Sequence, residues 1–399
     1  MKFLIILPST QRGGVEEYSL RIASSAIKKG WDVHVAFPNT EGTTSLIQDF
    51  TSKGVQYHSL EIADSGNTTL IQHLVNLSKT IFLLLHIKPN VVQIVLPGID
   101  TCFGSILACG FLRVPTLVRF GLVVNRYSFS AKKLKAYTWA RSRNQQWITV
   151  SENNRSLVCE SFQIEREQVL CIYNGFSLKP DLYTNNQEEN VSLRYQILEE
   201  LGLSTTNKLL LTVARLHEQK GYIFLIHTIP YIAKEFPEVR FVWVGEGEQK
   251  EYLLSKVQEY GVEDKVLFLG YRSDIPNLLK SADFFVFPTL YEGHPNALLE
   301  AMAYGLQIIT SDASSIPETI KHKVHGLLFR TGDSCNLLEN IRWALKHPKE
   351  MKEMSHNAKL HIINDFSEDK MMKETFKILH KLSERAQKKN HDYPINSSL

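Results

Sequence analysis

The sequence predicts an α/β protein built from two doubly wound, Rossmann-like parallel-sheet domains. Short β-rich runs alternate with helical patterns in two separate series, and a polar stretch containing Pro180 divides them. With 399 residues and 43% hydrophobic content, the chain has material for two cores of ordinary size.

In the first series the strands are expected at Phe3 to Leu7, Asp32 to Phe37, Val91 to Val95, Thr116 to Val118 and Trp147 to Val150, with a helix from Glu16 to Lys29. These make a domain over residues 1–174. Residues 175–206 read as a linker, although Val191 to Leu201 could hold a short helix. The second series, residues 207–366, has strands at Lys208 to Val213, Arg240 to Val244, Val266 to Leu269, Phe284 to Phe287 and Gln307 to Thr310. Its helices are expected near Tyr222 to Glu235 and Gln249 to Tyr260. Residues 367–389 can form one long helix with Met371, Phe376, Ile378, Leu379 and Leu382 on a single face, before a loose tail at 390–399. Open α/β sheets bind ligands at the carboxyl ends of their strands, so functional residues are expected just after strands, in a cleft between the domains.

A formal charge of +3 is too near balance for a chain that coats nucleic acid. Five irregularly spaced cysteines include no CxxC pair, which argues for a reducing compartment and against structural zinc. Pro8, Gln11, Arg12, Gly13 and Gly14 interrupt the first apolar run before a signal-peptide core forms. The apolar stretches at Ile81 to Ile87 and Cys102 to Leu112 fall short of the roughly 20 residues a spanning helix needs. The expected location is the cytoplasm, or peripherally the cytoplasmic face of a membrane.

Three segments carry chemistry. Arg215 and Lys220 stand five residues apart after the strand Lys208 to Val213, where two cations suit a diphosphate; a solvated loop is the plainer alternative. Gly245 and Gly247 follow the next strand, where glycines let a backbone approach a ligand or simply make a tight turn. From Phe287 to Gly305, Glu292 precedes a helix starting near Asn296 with Glu300 in its second turn. The helix mouth favours an anion, and the two carboxylates can hold hydroxyls of a sugar and a ribose.

Together these segments resemble the family-4 glycosyltransferases, retaining enzymes of the GT-B fold. The E-x7-E signature is met by Glu292 and Glu300 within EGxPNxLLEAMAxG, and the R-x4-K pair by Arg215 and Lys220. The resemblance implies that Glu292 contacts the transferred sugar, Glu300 the ribose, and Arg215 and Lys220 the diphosphate of a nucleotide-sugar donor. It implies a catalytic role for Arg215, Lys220 and Glu292, and donor contacts from Gly245, Gly247, Gly293, His294, Pro295 and Asn296. Gly13 and Gly14 match the family's glycine turn facing the diphosphate. The C-terminal helix is expected to return to the N-terminal domain. No cofactor and no metal are implied beyond the co-substrate, in keeping with the absence of a D-x-D pair.

The sequence departs from the family where many members carry a histidine after the strand Thr116 to Val118; here stand Arg119, Phe120 and Gly121. Arg119 and Arg126 are the acceptor-side candidates, for a glycan or lipid-linked acceptor. His322 and His325 lack a carboxylate pattern and read as packed or solvated rather than metal ligands. Lys132, Lys133, Lys135, Arg141 and Arg143, interleaved with Tyr137, Trp139 and Trp147, read either as an exposed helix with a buried aromatic face or as a contact for anionic lipid. The rival to an enzyme is a non-catalytic protein of the same fold that binds a nucleotide sugar or a partner.

Overall fold

The computed structural model describes residues 1–62, 68–177 and 187–392. It divides into two compact units, Met1–Tyr173 together with Met371–Leu399, and Asn174–Lys370.

In chain order the first unit contains β1 (Lys2–Ile6), α1 (Gly14–Lys28), β2 (Asp32–Phe37), α2 (Thr44–Ser52), β3 (Gln56–Ser59), α3 (Leu70–Ile87) and β4 (Val91–Leu96). It continues with α4 (Phe103–Phe111), β5 (Thr116–Phe120), α5 (Ala131–Arg141), β6 (Gln145–Thr149), α6 (Glu152–Phe162) and β7 (Val169–Cys171). The strands form one parallel sheet in the order β3-β2-β1-β4-β5-β6-β7. Phe3, Leu4, Ile5 and Ile6 are all fully buried because helices cover both faces of the sheet. Phe3, Ile5 and Tyr18 belong to the core on one side; Leu4, Ile6 and Trp147 belong to the core on the other.

The second unit contains α7 (Gln187–Glu200), β8 (Lys208–Val213), α8 (Tyr222–Ile226), α9 (Ile229–Glu235), β9 (Val239–Val244), α10 (Lys250–Glu259), β10 (Val266–Phe268) and α11 (Ile275–Ser281). It continues with β11 (Phe284–Phe287), α12 (Asn296–Ala303), β12 (Gln307–Ser311), α13 (Ile316–Thr319), β13 (Leu327–Phe329), α14 (Ser334–Lys346) and α15 (Pro348–Asp365). Its strands also run parallel, in the order β10-β9-β8-β11-β12-β13. The last helix, α16 (Glu368–Asp392), delivers Met371, Phe376, Leu379 and Leu382 to the core of the first unit. There the Phe376 ring meets Trp31 edge-on, with centroids 5.1 Å apart. The expected apolar face of this helix is the face that packs.

Four features differ from the sequence expectation. Of the expected linker 175–206, residues 178–186 lie outside the described residues, and residues 187–200 form α7, which packs on α11, with Arg194 holding Asp283 Oδ2 at 3.0 Å and the Asn207 carbonyl at 2.9 Å. The short helix expected at Val191 to Leu201 is present and starts earlier, and buried Ile197 and Leu198 anchor it together with the ion pair. The helix expected from Tyr222 to Glu235 is two, because Pro230 lacks an N–H and sits in the first turn of α9. β5 continues through Phe120, paired with Leu96 and Thr149 on either side, so Arg119 lies inside the sheet and not in a loop.

The fourth difference is α3. Its 18 residues are long and apolar enough to cross a membrane by length and composition, although no uninterrupted apolar run reveals this. Gln72, His73, Asn76, Ser78 and Lys79 break up the run, and helical periodicity turns Leu83, Leu84 and Ile87 inward and Leu70, Ile71, Leu74, Val75, Phe82 and Leu85 outward.

Where the chain enters and leaves the second unit, two short segments pair. Phe176 N–H donates to the Phe366 carbonyl at 2.9 Å, and Glu368 N–H donates to the Phe176 carbonyl at 3.0 Å. A Cβ on Gly175 would lie 2.5 Å from the Ser367 carbonyl oxygen, so this close pairing needs glycine.

Candidate active site

In the second sheet the chain order reverses between β8 and β11: β9 continues on one side and β12 on the other. Such a switch point leaves a crevice at the carboxyl ends of the two central strands, because their loops diverge. The β8 loop carries Arg215 and Lys220, and the β11 loop carries Glu292.

These loops are bound together tightly. Lys220 Nζ donates to Glu292 Oε1, which also accepts from the Thr289 hydroxyl at 2.8 Å. The side chains of Lys220 and Glu292 are only 12% and 8% exposed, so the pair is removed from bulk water. Gln219 fastens the same corner: its side-chain amide donates to the Tyr291 carbonyl at 2.7 Å, while its own carbonyl accepts from Leu290 N–H at 2.7 Å and Thr289 Oγ1 at 3.1 Å. Gly221 allows the approach, since its φ is +65° and a Cβ there would lie 2.0 Å from the Pro288 carbonyl oxygen. Burial also pushes the Tyr291 hydroxyl pKa up.

Arg215 differs from Lys220. It is exposed and has no ion-pair partner among the described residues, which leaves its guanidinium free to meet an anion. The Gly245–Gly247 turn lies against the backbone beside it: a Cβ at Gly245 would fall 2.1 Å from the Ala214 carbonyl oxygen, and one at Gly247 2.2 Å from that of Leu216. Close approach of two protein loops therefore accounts for both glycines. His217 completes the loop, capping Gln219 N–H at 3.0 Å and reaching Glu248 at 3.3 Å.

Glu292, Gly293, His294 and Pro295 are all buried and lead directly into α12. The His294 ring is held at both nitrogens: Nδ1 accepts from Asn174 N–H at 3.1 Å, and Nε2 meets Thr319 Oγ1 at 3.0 Å. With Nδ1 an acceptor, Nε2 carries the proton of a neutral ring and donates it to Thr319. Only the backbone of His294 is left for a ligand to use. At the start of α12 the Asn296 amide oxygen is buried with no hydrogen-bond donor among the described residues. Glu300 lies one turn further along, half-buried.

In the first unit, Gly13 caps α1 and Gly14 begins it. The mouth of this helix already holds a carboxylate: Glu16 accepts from the Ser9 hydroxyl, and its other oxygen would lie 3.1 Å from a Cβ on Gly13. Burial pushes the Glu16 carboxyl up, opposed by hydrogen bonds from Ser9 and from the backbone at Glu16 and Gly13. Arg119 is 3% exposed, with its guanidinium 3.6 Å from the Tyr18 ring centroid, and burial brings its pKa down to about 10. It is a core residue, not an open acceptor contact. Arg126 is exposed in the loop after β5. His322 is exposed, with Nδ1 accepting from Leu328 N–H, and half-buried His325 stacks on His361, so the first is solvated and the second packed.

Gln219, Thr289, Asn174 and Thr319 are absent from the sequence-based site. Gln219 and Thr289 flank the motif residues and could have been suspected from that alone; Asn174 and Thr319 are distant in sequence from the residue they hold.

Two Rossmann-like parallel sheets with a cation-carboxylate corner at a switch point define a GT-B glycosyltransferase. Two family models match the chain, Glycosyltransferase Family 4 over residues 12–179 and Glycosyl transferases group 1 over residues 194–361. The chain belongs to the family-4 glycosyltransferases. An uncharacterized glycosyltransferase of Methanocaldococcus jannaschii is 30% identical over 255 residues, which is 63% of this chain and 64%, just under two thirds, of that protein. The Escherichia coli UDP-Gal:α-D-GlcNAc-diphosphoundecaprenol α-1,3-galactosyltransferase is 27% identical over 275 residues, covering 65% of this chain and 68% of that one. Among solved structures, Anabaena HepE in complex with UDP-glucose superposes with a TM-score of 0.76 at 22% identity, covering 96% of this chain and all of that one.

Proposed function

We propose that this glycosyltransferase moves a sugar from a nucleotide-diphosphate donor to a hydroxyl acceptor with retention of the anomeric configuration and without a metal ion. The observation that carries this reading is the Lys220–Glu292 pair at the β8–β11 switch point, with exposed Arg215 in the same β8 loop. UDP is the first nucleotide to test, because HepE holds UDP-glucose and the E. coli relative is named for UDP-Gal. A saccharide on a lipid diphosphate is the acceptor class to test first, again from that relative's name. Such an acceptor would call for a peripheral position on the cytoplasmic face of a membrane.

In this reading the bond from the anomeric carbon to the diphosphate oxygen breaks, and its electron pair leaves with the diphosphate. The acceptor oxygen bonds to the same face of that carbon and passes its proton to a departing phosphate oxygen. Arg215 and Lys220 meet the charge that grows on the diphosphate, an effect that strengthens toward the transition state. Glu292 holds the sugar hydroxyls and Glu300 the ribose. Arrival of the diphosphate makes Lys220 share its protons between Glu292 and phosphate, while the Asn296 amide oxygen offers an acceptor for a sugar hydroxyl. The Gly13–Gly14 turn contributes backbone N–H groups toward the diphosphate, and Arg126 is the remaining acceptor-side candidate.

A panel of UDP- and GDP-sugars, read by released nucleoside diphosphate, tests the donor class. NMR of the product then reads the linkage. An inverted anomeric centre, or activity abolished by a chelator and restored by a divalent ion, would overturn the respective part of the proposal.

A further inference from the structure

The outer face of α3 is apolar along its whole length, while its inner face is partly polar. Leu70, Ile71 and Phe82 are each more than 70% exposed, and Leu74, Val75 and Leu85 are also exposed. At about 100° per residue these six share an arc of roughly 140° with half-buried Ile81, and Ser78 is its one polar member. Meanwhile Asn76 and Thr80 are buried, and Thr80 Oγ1 bonds to Ser105 of α4 at 3.0 Å. An ordinary surface helix has the opposite arrangement.

This face does not belong to a spanning segment. Leu83, Leu84 and Ile87 are committed to the core, and Gly104 of α4 packs so closely that a Cβ there would lie 2.8 Å from Leu77 N. The helix is fixed lengthwise on the first unit with its apolar side outward.

Charge identifies the occupant. None of α3, α4 and α5 contains an Asp or Glu. Lys79 and His86 border one side of the apolar arc on α3 itself. On the other side the His73 ring meets Phe103 at 5.1 Å, and Lys133 Nζ stands 5.1 Å over that same Phe103 ring, with exposed Lys132 and Lys135 on the same turn of α5. An apolar stripe with Lys79, beside exposed Glu61, at one margin and the α5 lysines at the other matches acyl chains beneath anionic headgroups. A second copy of the same surface would oppose positive margins to positive margins.

We infer that the outer face of α3, with Lys79 and the α5 lysines at its margins, seats this protein in the interfacial layer of an anionic lipid bilayer. The inference accords with a lipid-linked acceptor but rests on the surface alone, so it stands or falls apart from the transferase chemistry.

The test is co-sedimentation of the full chain with vesicles of phosphatidylcholine alone or with phosphatidylglycerol added. Binding is expected on the anionic vesicles, weakening several-fold at 0.5 M salt by screening. Ile71→Ser/Phe82→Ser is expected to lose at least tenfold in partitioning while keeping the thermal midpoint and donor-dependent nucleotide release of the parent. As a second reading, Phe82→Trp should gain fluorescence quenching by acyl-chain-brominated lipid over the parent's background. No binding to anionic vesicles, unchanged partitioning in the serine variant, or no added quenching would overturn the inference. So would a dimer in vesicle-free solution that the serine variant dissociates, which would give the face to a second copy. Vesicle binding without nucleotide release from any donor would leave the inference standing and count against the transferase reading instead.

Discussion

His294 and Asn174 hold each other twice. The ring nitrogen of His294 accepts from the Asn174 backbone at 3.1 Å, and the Asn174 side chain donates to the His294 carbonyl at 2.7 Å. The ring also packs on Phe366, centroids 5.1 Å apart, so the β11 loop is tied to residues at both crossings into the second unit. His294→Ala removes two side-chain hydrogen bonds and the ring contact, and is expected to cost about 2–4 kcal/mol. Urea unfolding measures it; a loss under about 1 kcal/mol would contradict the role.

Lys220→Ala strands a buried carboxylate with Thr289 as its remaining side-chain partner. The expected cost is about 3–5 kcal/mol of stability, with turnover reduced about 100-fold or more as a charge-stabilising donor is lost. Adding Glu292→Gln should recover part of the stability and none of the turnover. If the two stability losses simply add, the residues are not coupled.

Arg215→Ala separates binding chemistry from structure. Because the side chain is exposed and unpaired among the described residues, stability should change by no more than about 0.5 kcal/mol. Turnover should still fall about 100-fold. Steady-state kinetics beside a thermal melt checks both, and a variant that melts early but turns over normally would refute the assignment.

Acid should loosen the seat of α7. Arg272 bonds Asp274 at 2.7 Å and also grips Glu200, and these hydrogen bonds hold both carboxyls below their ordinary values. A depressed carboxyl stabilises the fold above its unfolded pKa, near 4, and that contribution fades as pH falls through the lower folded value. Solvent screens the group, so the contribution is no more than about 1 kcal/mol. Arg272→Ala should therefore lower the melting temperature more at pH 7 than near pH 3. An equal shift at both pH values would rule out the electrostatic origin.

Burial explains which parts of this molecule can be read from its sequence. Lys208–Val213 and Phe284–Phe287 are legible because a central strand covered on both faces is a continuous apolar run. Edge strands Gln56–Ser59 and Leu327–Phe329 are short, with half-covered residues, and they leave no comparable trace. At the site, Arg215, Lys220, Glu292 and Glu300 are legible from fixed spacings. Their supports are less so: Gln219 and Thr289 flank motif residues, but their contact forms only when β8 and β11 become neighbours, and Arg119 changes from loop to core with two more residues of strand.

The pairing of Phe176 with Ser367 brings the start and finish of residues 174–370 to a single point. Topologically that stretch is a cassette: it interrupts the first unit at one place, and its own two ends are paired. Recombination can then swap such a block between genes as one piece. In the proposed reading, donor preference is inherited with that block, separately from whatever the remaining residues recognise.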